Sequence, residues 1–177
     1  MAPTWLAILY VGGLFSCLIR LRCGTEQIIS QLHWHAAQPW MRFIGEGACL
    51  LLFLILVMTA TDTGALLVGR RWGRRKLAPV VSPGKTWEGA VGGMTLGVVA
   101  GLAGAAWFGM PGSFAAAAAL LASLFGQLGD LCESALKREL DVKDFGSLLP
   151  GHGGLLDRFD NLLFTGAVTY LLVLLWP

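Results

Sequence analysis

The chain has 177 residues, of which 55% are hydrophobic and 14% are charged, whereas ordinary soluble domains carry roughly 25% charged residues. No charged side chain occurs between Glu88 and Asp130. This composition excludes a soluble globular domain and is typical of an integral membrane protein. The net charge of +2 is small, and six of the 13 basic residues lie between Arg70 and Lys85, which excludes nucleic acid as the main partner.

Apolar runs predict about five membrane-spanning helices, because about 20 apolar residues suffice to cross a bilayer. The predicted fold class is all-α, a polytopic integral membrane protein whose transmembrane helices surround a cytoplasm-facing polar cavity. The chain is predicted to form a single transmembrane domain over residues 1–177, with spans at residues 4–19, 46–68, 90–110, 114–136 and 155–176.

Small residues mark the turn between the third and fourth spans and recur along the third span. The sequence MPGS at residues 110–113 predicts a tight turn, so these two spans should form a helical hairpin. Gly93, Gly97 and Gly101 recur every fourth residue in the third span, a spacing that lets another helix approach closely.

The two polar connections, residues 69–89 and 137–154, are predicted to lie on the same side of the membrane. The first carries Arg70, Arg71, Arg74, Arg75, Lys76 and Lys85. The positive-inside rule places this loop in the cytoplasm, and the second loop, two spans later, returns to that side. We therefore expect a protein of the cell inner (plasma) membrane whose active site faces the cytoplasm, where nucleotides are available.

Four polar side chains share one face near the end of the fourth span. Asp130, Glu133, Ser134 and Lys137 are spaced i, i+3, i+4 and i+7, so a helix projects them from one stripe. An ionisable group at mid-bilayer depth costs roughly 2.5–3.5 kcal/mol on insertion scales and is functional by default. The alternative is an interfacial cluster in a helix that simply ends at Lys137.

The fifth span follows a glycine-rich segment, GHGG, at residues 151–154. His152, Gly153 and Gly154 lie just before a helix N-terminus, where unpaired backbone N–H groups favour a bound phosphate. Asp157 and Asp160 then share one face of the helix, although early carboxylates also complement a helix dipole.

Oxygen ligands without a Cys or His cluster suit Mg²⁺, and we predict Asp130 and Asp157 as its ligands. Lys85 follows a Ser-Pro turn and is predicted either to bind a phosphate or to be one more positive-inside residue. The adjoining GKT is not a Walker A motif, because Pro79 stands where that motif requires glycine.

The pattern S-x-x-K-R-x4-K-D followed by P-x-H-G-G-x-x-D-R-x-D, from Ser134 to Asp160, resembles the signature of the CDP-diacylglycerol synthases (phosphatidate cytidylyltransferases). Residues 61–93 resemble a second block of that family, so the likeness covers almost the whole chain. Asp141 stands where the family usually has Gly, and Asn161 where Ser is usual. Members typically have several more spans before the region where this chain begins, so the resemblance implies either a short member or an N-terminally truncated one.

The resemblance implies the reaction CTP + phosphatidate → CDP-diacylglycerol + pyrophosphate, as part of phospholipid biosynthesis. It implies a Mg²⁺-dependent site, with room for a second, monovalent cation such as K⁺. The implied catalytic residues are Asp130, Asp157, Lys137 and Asp160, with Asp130 and Asp157 as metal ligands. The implied substrate-binding residues are Ser82, Lys85, Ser134, Arg138, Lys143, His152, Gly153, Gly154 and Arg158.

Three other interpretations remain open from the sequence. The chain could use CTP on another lipid, such as an archaeol phosphate or a polyprenol. It could be a non-catalytic short paralogue that binds a full-length partner. The acids could belong to an ion pathway of a transporter, although they cluster at one end of the spans. The expected partners are CTP, phosphatidate and the bilayer, and five spans around a polar cavity make a homodimer plausible.

Overall fold

The computed structural model describes residues 12–23, 34, 41–142 and 156–176, and only the backbone of residues 42, 43 and 156–160. Six α-helices and one two-stranded antiparallel sheet make up this part of the chain. The elements are α1 (Leu14–Cys23), α2 (Met41–Ile44), α3 (Glu46–Trp72), β1 (Lys76–Ala78), β2 (Ser82–Thr86), α4 (Trp87–Phe108), α5 (Gly112–Glu139) and α6 (Leu156–Leu175).

Three helices are long and apolar enough to cross a membrane: α3, α4 and α5. The stretch Asn161–Leu175 of α6 is a shorter apolar helix. These elements confirm the predicted all-α, polytopic membrane fold. Of the first predicted span, residues 4–11 lie outside the described residues, and residues 14–19 belong to α1, which continues to Cys23.

Two helices extend beyond their predicted ends, because the prediction ended each span where charged residues begin. We expected a span over residues 46–68, but α3 continues to Trp72. Arg70 and Arg71 occupy its last turn, where cations interact favourably with the helix dipole. Similarly, α5 begins at Gly112 and ends at Glu139, so the turn after α4 is limited to residues 109–111.

The small-residue face of α4 packs against α3, as the four-residue glycine spacing predicts. A Cβ at Gly93 would lie 2.6 Å from the Thr61 carbonyl oxygen, and one at Gly89 would lie 2.8 Å from that of Ala65. From the other side, a Cβ at Gly64 would lie 3.0 Å from the Gly92 carbonyl oxygen. Any side chain at these positions would therefore push the two helices apart.

Helix α5 joins this pair through a buried hydrogen bond between hydroxyl groups. Thr61 Oγ1 and Ser123 Oγ are 2.9 Å apart, and the Thr61 hydroxyl donates to the Val57 carbonyl oxygen at 2.8 Å. Because a hydroxyl has a single proton, Ser123 donates to Thr61. Gly97 of α4 lies directly beside both oxygens, so three helices meet at this point.

Helix α6 runs antiparallel to α5 and packs on its small residues. A Cβ at Gly129 would lie 2.7 Å from Phe164, and one at Gly126 would lie 3.1 Å from Thr165. The apolar core lies toward the other end of the bundle. There Phe114 contacts Trp176 edge to face, with ring centroids 5.3 Å apart. The start of α6 therefore lies at the same end of the helix pair as the last turn of α5.

The connection between α3 and α4 contains the sheet, which the sequence did not predict. Strands β1 and β2 pair with Lys76 opposite Thr86 and Ala78 opposite Ser82. Thr86 caps α4, because its side-chain oxygen accepts a hydrogen bond from the Gly89 N–H at 3.1 Å. We call residues 76–86 the hairpin, and it holds Ser82 and Lys85 against the end of the helix bundle.

Candidate active site

The ammonium group of Lys85 forms an ion pair with the carboxylate of Asp130. Lys85 comes from β2 and Asp130 from α5, so the pair joins the hairpin to the helix bundle. The side chains are 25% and 37% exposed, respectively. Lys85 Nζ itself is buried, so the exposed part of that side chain is its aliphatic stem, whereas Asp130 is the more open member of the pair.

A second ion pair lies further along α5. Lys137 Nζ is 2.6 Å from Glu133 Oε1, and the Glu133 side chain is only 3% exposed. The two residues are spaced i, i+4 with the acid first, the favourable order on a helix. The predicted stripe on α5 thus carries two carboxylates, each paired with a lysine.

A cavity of about 340 Å³ surrounds the Lys85–Asp130 pair between the hairpin, α3, α4 and α5. Its walls are largely apolar, with Leu66 and Leu77 among them, and its polar groups are few. Those polar side chains are Asp62, Ser82, Lys85, Thr86, Gln127 and Asp130. A cavity with apolar walls and a few convergent polar groups is the usual form of a small-molecule site.

A second cavity, of about 230 Å³, lies between the hairpin and the last turns of α5. Its polar side chains are those of Ser82, Ser134, Lys137 and Arg138. Arg138 also approaches the hairpin, with Nε 3.5 Å from the Val81 carbonyl oxygen. Ser82 lines both cavities, so the two form adjoining parts of one polar site.

The hairpin is fixed by the carboxylate of Glu88, in the first turn of α4. Glu88 Oε2 accepts hydrogen bonds from the backbone N–H groups of Arg74 at 3.1 Å and of Arg75 at 3.2 Å. The Trp87 N–H donates to the Arg75 carbonyl oxygen at 3.0 Å. These bonds tie the entry of β1 to the start of α4 and so set the position of Lys85.

The structure brings together six of the predicted site residues around the two cavities: Ser82, Lys85, Asp130, Ser134, Lys137 and Arg138. Asp157, Arg158 and Asp160 lie in the first turns of α6, but their side chains are not described. Lys143, His152, Gly153 and Gly154 lie outside the described residues. The structure shows where the first six residues lie, and the roles predicted for all of these residues stay predictions.

Sequence reasoning did not predict three polar residues of the larger cavity as site residues: Asp62, Thr86 and Gln127. Asp62 is an acid in an apolar span, a signal that by itself marks a functional candidate. Gln127 lies three residues before Asp130 and therefore shares its face of α5. Its amide nitrogen donates to the carbonyl oxygens of Ala90 at 3.3 Å and Ser123 at 3.2 Å. Those two bonds fix the orientation of the Gln127 amide group. Its amide oxygen accepts no hydrogen bond from the described residues.

The oxygen groups near Asp130 suit a hard cation. Among the residues that the structure describes, no three His, Cys, Asp or Glu side chains form a metal-binding group. Asp62 and Asp130 nevertheless line one cavity, and Asn161 Oδ1 is buried without a hydrogen-bond partner in the described part of the chain. Asn161 shares a face of α6 with Phe164, which packs on Gly129 beside Asp130. Carboxylate and amide oxygens fit Mg²⁺.

The chain is similar to known proteins over most of its length. The model of the cytidylyltransferase family matches residues 1–176. The chain is similar to the phosphatidate cytidylyltransferase of Bacillus subtilis, with 46% identity over 173 residues that cover 97% of this chain and 57% of that protein.

Two further relatives carry the same name. The phosphatidate cytidylyltransferase of Staphylococcus aureus (strain COL) is 48% identical over 121 residues, which cover 67% of this chain and 46% of that protein. The protein from Brucella suis biovar 1 is 47% identical over 126 residues, which cover 71% and 47%, respectively. The chain thus spans about half the length of the curated relatives it matches.

Proposed function

Since the chain belongs to the cytidylyltransferase family, we propose that it transfers a cytidylyl group from CTP to phosphatidate, forming CDP-diacylglycerol and pyrophosphate. The observation that carries this proposal is the meeting of three cationic side chains, Lys85, Lys137 and Arg138, around two adjoining cavities at one end of the helix bundle. The choice of CTP and phosphatidate as substrates is supported by the relatives named phosphatidate cytidylyltransferase.

The reaction brings two polyanions together, and basic side chains reduce their repulsion. An oxygen of the phosphatidate phosphate forms a bond with the α-phosphorus of CTP, and the bond from that phosphorus to the bridging oxygen of the β-phosphate breaks. Pyrophosphate leaves with the electron pair of the broken bond. Catalysis of this kind depends on positioning and on electrostatic stabilisation of the phosphates. Phosphatidate is already ionised near neutral pH, so no strong general base is required.

Each described cation has a role in this proposal. Lys85 binds phosphate in the larger cavity, and Lys137 and Arg138 bind phosphate in the smaller one. Ser82 and Ser134 donate hydrogen bonds to phosphate oxygens. Lys143, Arg158 and the glycine-rich segment around His152 remain predicted phosphate contacts, and Asp160 remains a predicted catalytic residue.

We assign Mg²⁺ to Asp130 and Asp157, whose oxygen chemistry fits a hard cation. When bound, the cation supplies positive charge that neutralises phosphate oxygens. A second, monovalent cation such as K⁺ stays a prediction, as does a homodimer. The site is assigned to the cytoplasmic face of the inner membrane, because the basic residues before the hairpin follow the positive-inside rule.

The proposal is tested with the purified chain, radiolabelled CTP, phosphatidate and Mg²⁺, scored for a labelled CDP-lipid. Asp157→Asn should lower the rate by at least about 100-fold, because a carboxylate ligand is lost. Asp141→Asn is the matched control. Asp141 is exposed and has φ 52°, a left-handed conformation that Asn also adopts readily, so this variant should keep full activity. Its left-handed backbone also explains why glycine is usual at this position in the family.

Two outcomes would overturn the assignments. Unchanged activity of Asp157→Asn would remove Asp157 from the metal site. A well-folded wild type that forms no CDP-lipid would refute the proposed enzyme activity and favour the interpretation as a non-catalytic paralogue. An archaeol phosphate or a polyprenyl phosphate offered beside phosphatidate reports which lipid the chain uses.

A further inference from the structure

Five exposed cations lie within seven residues around the end of a membrane helix. Helix α3 ends at Trp72, and β1 begins at Lys76. The five side chains, which we call the basic rim, are those of Arg70, Arg71, Arg74, Arg75 and Lys76. They start in the last turn of a helix that can cross a bilayer, so the basic rim lies where such a helix leaves the hydrocarbon.

These cations differ from Lys85 and Lys137 of the active site in having no ion-pair partner among the described residues. Lys85 and Lys137 are each paired with an acid, whereas the structure records no ion pair for the basic rim within its described ranges. The carboxylate that contacts this segment is that of Glu88, and it accepts backbone N–H groups from Arg74 and Arg75. The backbone is thereby held in place, and the side chains of Arg74 and Arg75 are exposed.

Large apolar side chains are exposed beside the basic rim. Trp72 ends α3, Trp87 begins α4, and both are exposed. Val80, at the turn of the hairpin, is 88% exposed. The guanidinium of Arg71 lies 5.5 Å from the centroid of the Trp72 ring. Tryptophan is enriched at membrane–water interfaces, where the ring lies at headgroup level.

We propose that the basic rim binds the headgroups of anionic phospholipids in the leaflet on which the hairpin lies. Clusters of four to eight Lys or Arg directly after a membrane helix attract anionic lipid, and each residue strengthens the attraction roughly fivefold. The unpaired positive charge and the neighbouring tryptophans favour a lipid surface over a soluble anion, which has no use for exposed apolar side chains. This binding does not depend on the proposed enzyme activity.

The basic rim has a consequence for the proposed reaction, because phosphatidate is itself an anionic phospholipid. Leu66, an exposed residue of α3, lines the larger cavity and lies one helical turn before Arg70. A lipid held at the basic rim is therefore close to the wall of the cavity in which Lys85 is paired with Asp130.

The test compares two double variants of the full chain in lipid nanodiscs. Arg74→Gln/Arg75→Gln removes two charges from the basic rim, and Arg20→Gln/Arg22→Gln removes the same charge from α1. The measurement is the association of spin-labelled phosphatidylglycerol relative to spin-labelled phosphatidylcholine. Each residue strengthens the attraction roughly fivefold at the basic rim, but the measured ratio averages over all lipid around the chain. Arg74→Gln/Arg75→Gln should therefore lower this ratio at least about twofold. Arg74→Lys/Arg75→Lys should keep it.

A ratio that is the same in wild type and Arg74→Gln/Arg75→Gln overturns the proposal, as does an equal loss in Arg20→Gln/Arg22→Gln. A loss in the lysine variant would indicate a structural cause and also overturn it. The alternative ligand is a soluble anion, and it is tested with CTP. CTP binding to the chain is measured by equilibrium dialysis in nanodiscs that contain only phosphatidylcholine. If Arg74→Gln/Arg75→Gln weakens CTP binding and leaves the lipid ratio unchanged, the basic rim serves the nucleotide. These readouts need no turnover, so they remain valid if the proposed function fails.

Discussion

Replacing Gly97 with alanine should weaken the junction of three helices and disturb the active site from a distance. A Cβ at Gly97 contacts both Thr61 Oγ1 and Ser123 Oγ, the two hydroxyl oxygens that join α3 to α5. All three residues are buried, so the added methyl group has no free space. Either the hydrogen bond breaks or α5 moves away from α4.

The size of the effect follows from three contributions. Overpacking a close-packed interior costs about 1–3 kcal/mol, and losing an interhelical hydrogen bond in a membrane protein costs about 0.6 kcal/mol. Alanine offsets about 1 kcal/mol of this, because it is a better helix former than glycine. We expect Gly97→Ala to lower the free energy of unfolding by about 0.6–2.6 kcal/mol.

The same change should lower activity, because Asp130 follows Ser123 by two turns on one face of α5. A shift of α5 moves Asp130 relative to Lys85 on the hairpin. Since a misplacement of about 1 Å can cost roughly 100-fold in rate, we expect a loss of about 10- to 100-fold in cytidylyl transfer.

Stability is measured by unfolding the purified chain in mixed micelles with an increasing fraction of SDS, followed by circular dichroism. Gly112→Ala is the matched control, because nothing lies within 4 Å of a Cβ at Gly112, and it should stay within about 0.5 kcal/mol of wild type. Gly97→Ala/Ser123→Ala removes one crowded hydroxyl and should recover part of the loss. If Gly97→Ala unfolds at the same SDS fraction as Gly112→Ala, the steric reasoning is wrong.

Two further predictions concern residues that support the site. Glu88→Ala should lower kcat/KM for CTP by up to about 100-fold, because the hairpin loses its anchor. Glu88→Gln, which keeps one acceptor oxygen, should lose less. The exposed Glu139→Gln is the control, and an equal loss in all three would contradict the anchoring role. Gln127→Leu should cost about 1 kcal/mol of unfolding free energy, from two lost hydrogen bonds. Gln127→Glu should cost more, because it sets a carboxylate oxygen against the Ala90 and Ser123 carbonyl oxygens; wild-type stability of this variant in the SDS assay would contradict the geometry.

Features that depend on one helix at a time could be predicted from the sequence. Hydrophobic length predicted the helices that became α3, α4 and α5, and the glycine spacing predicted the face of α4 that packs on α3. The stripe on α5 follows from helical periodicity alone. The i, i+4 spacing of Glu133 and Lys137 would also have predicted their ion pair. The span predicted from hydropathy is shorter than α3. Arg70 and Arg71 end the apolar run in the sequence, but the helix continues through them.

The hairpin could not be predicted, because its cause is not local. Strand β2 has the sequence SPGKT, in which Pro and Gly are residues that strands usually avoid. Its geometry comes from Glu88, which binds backbone groups 13 and 14 residues earlier in the chain. Lys85 and Asp130 were predicted to lie on the same side of the membrane, but only the hairpin geometry makes them partners.

The pairing of Lys85 with Asp130 bears on how the proposed substrates bind. A phosphate that binds Lys85 alone leaves the Asp130 carboxylate without its partner, and a cation that binds Asp130 alone leaves the Lys85 ammonium unpaired. Each single event therefore breaks an ion pair in a cavity with apolar walls, where an unpaired charge is costly. When a cation and a phosphate arrive together, one ion pair is exchanged for two. The ion pair thus couples any cation that would bind Asp130 to any phosphate that would bind Lys85.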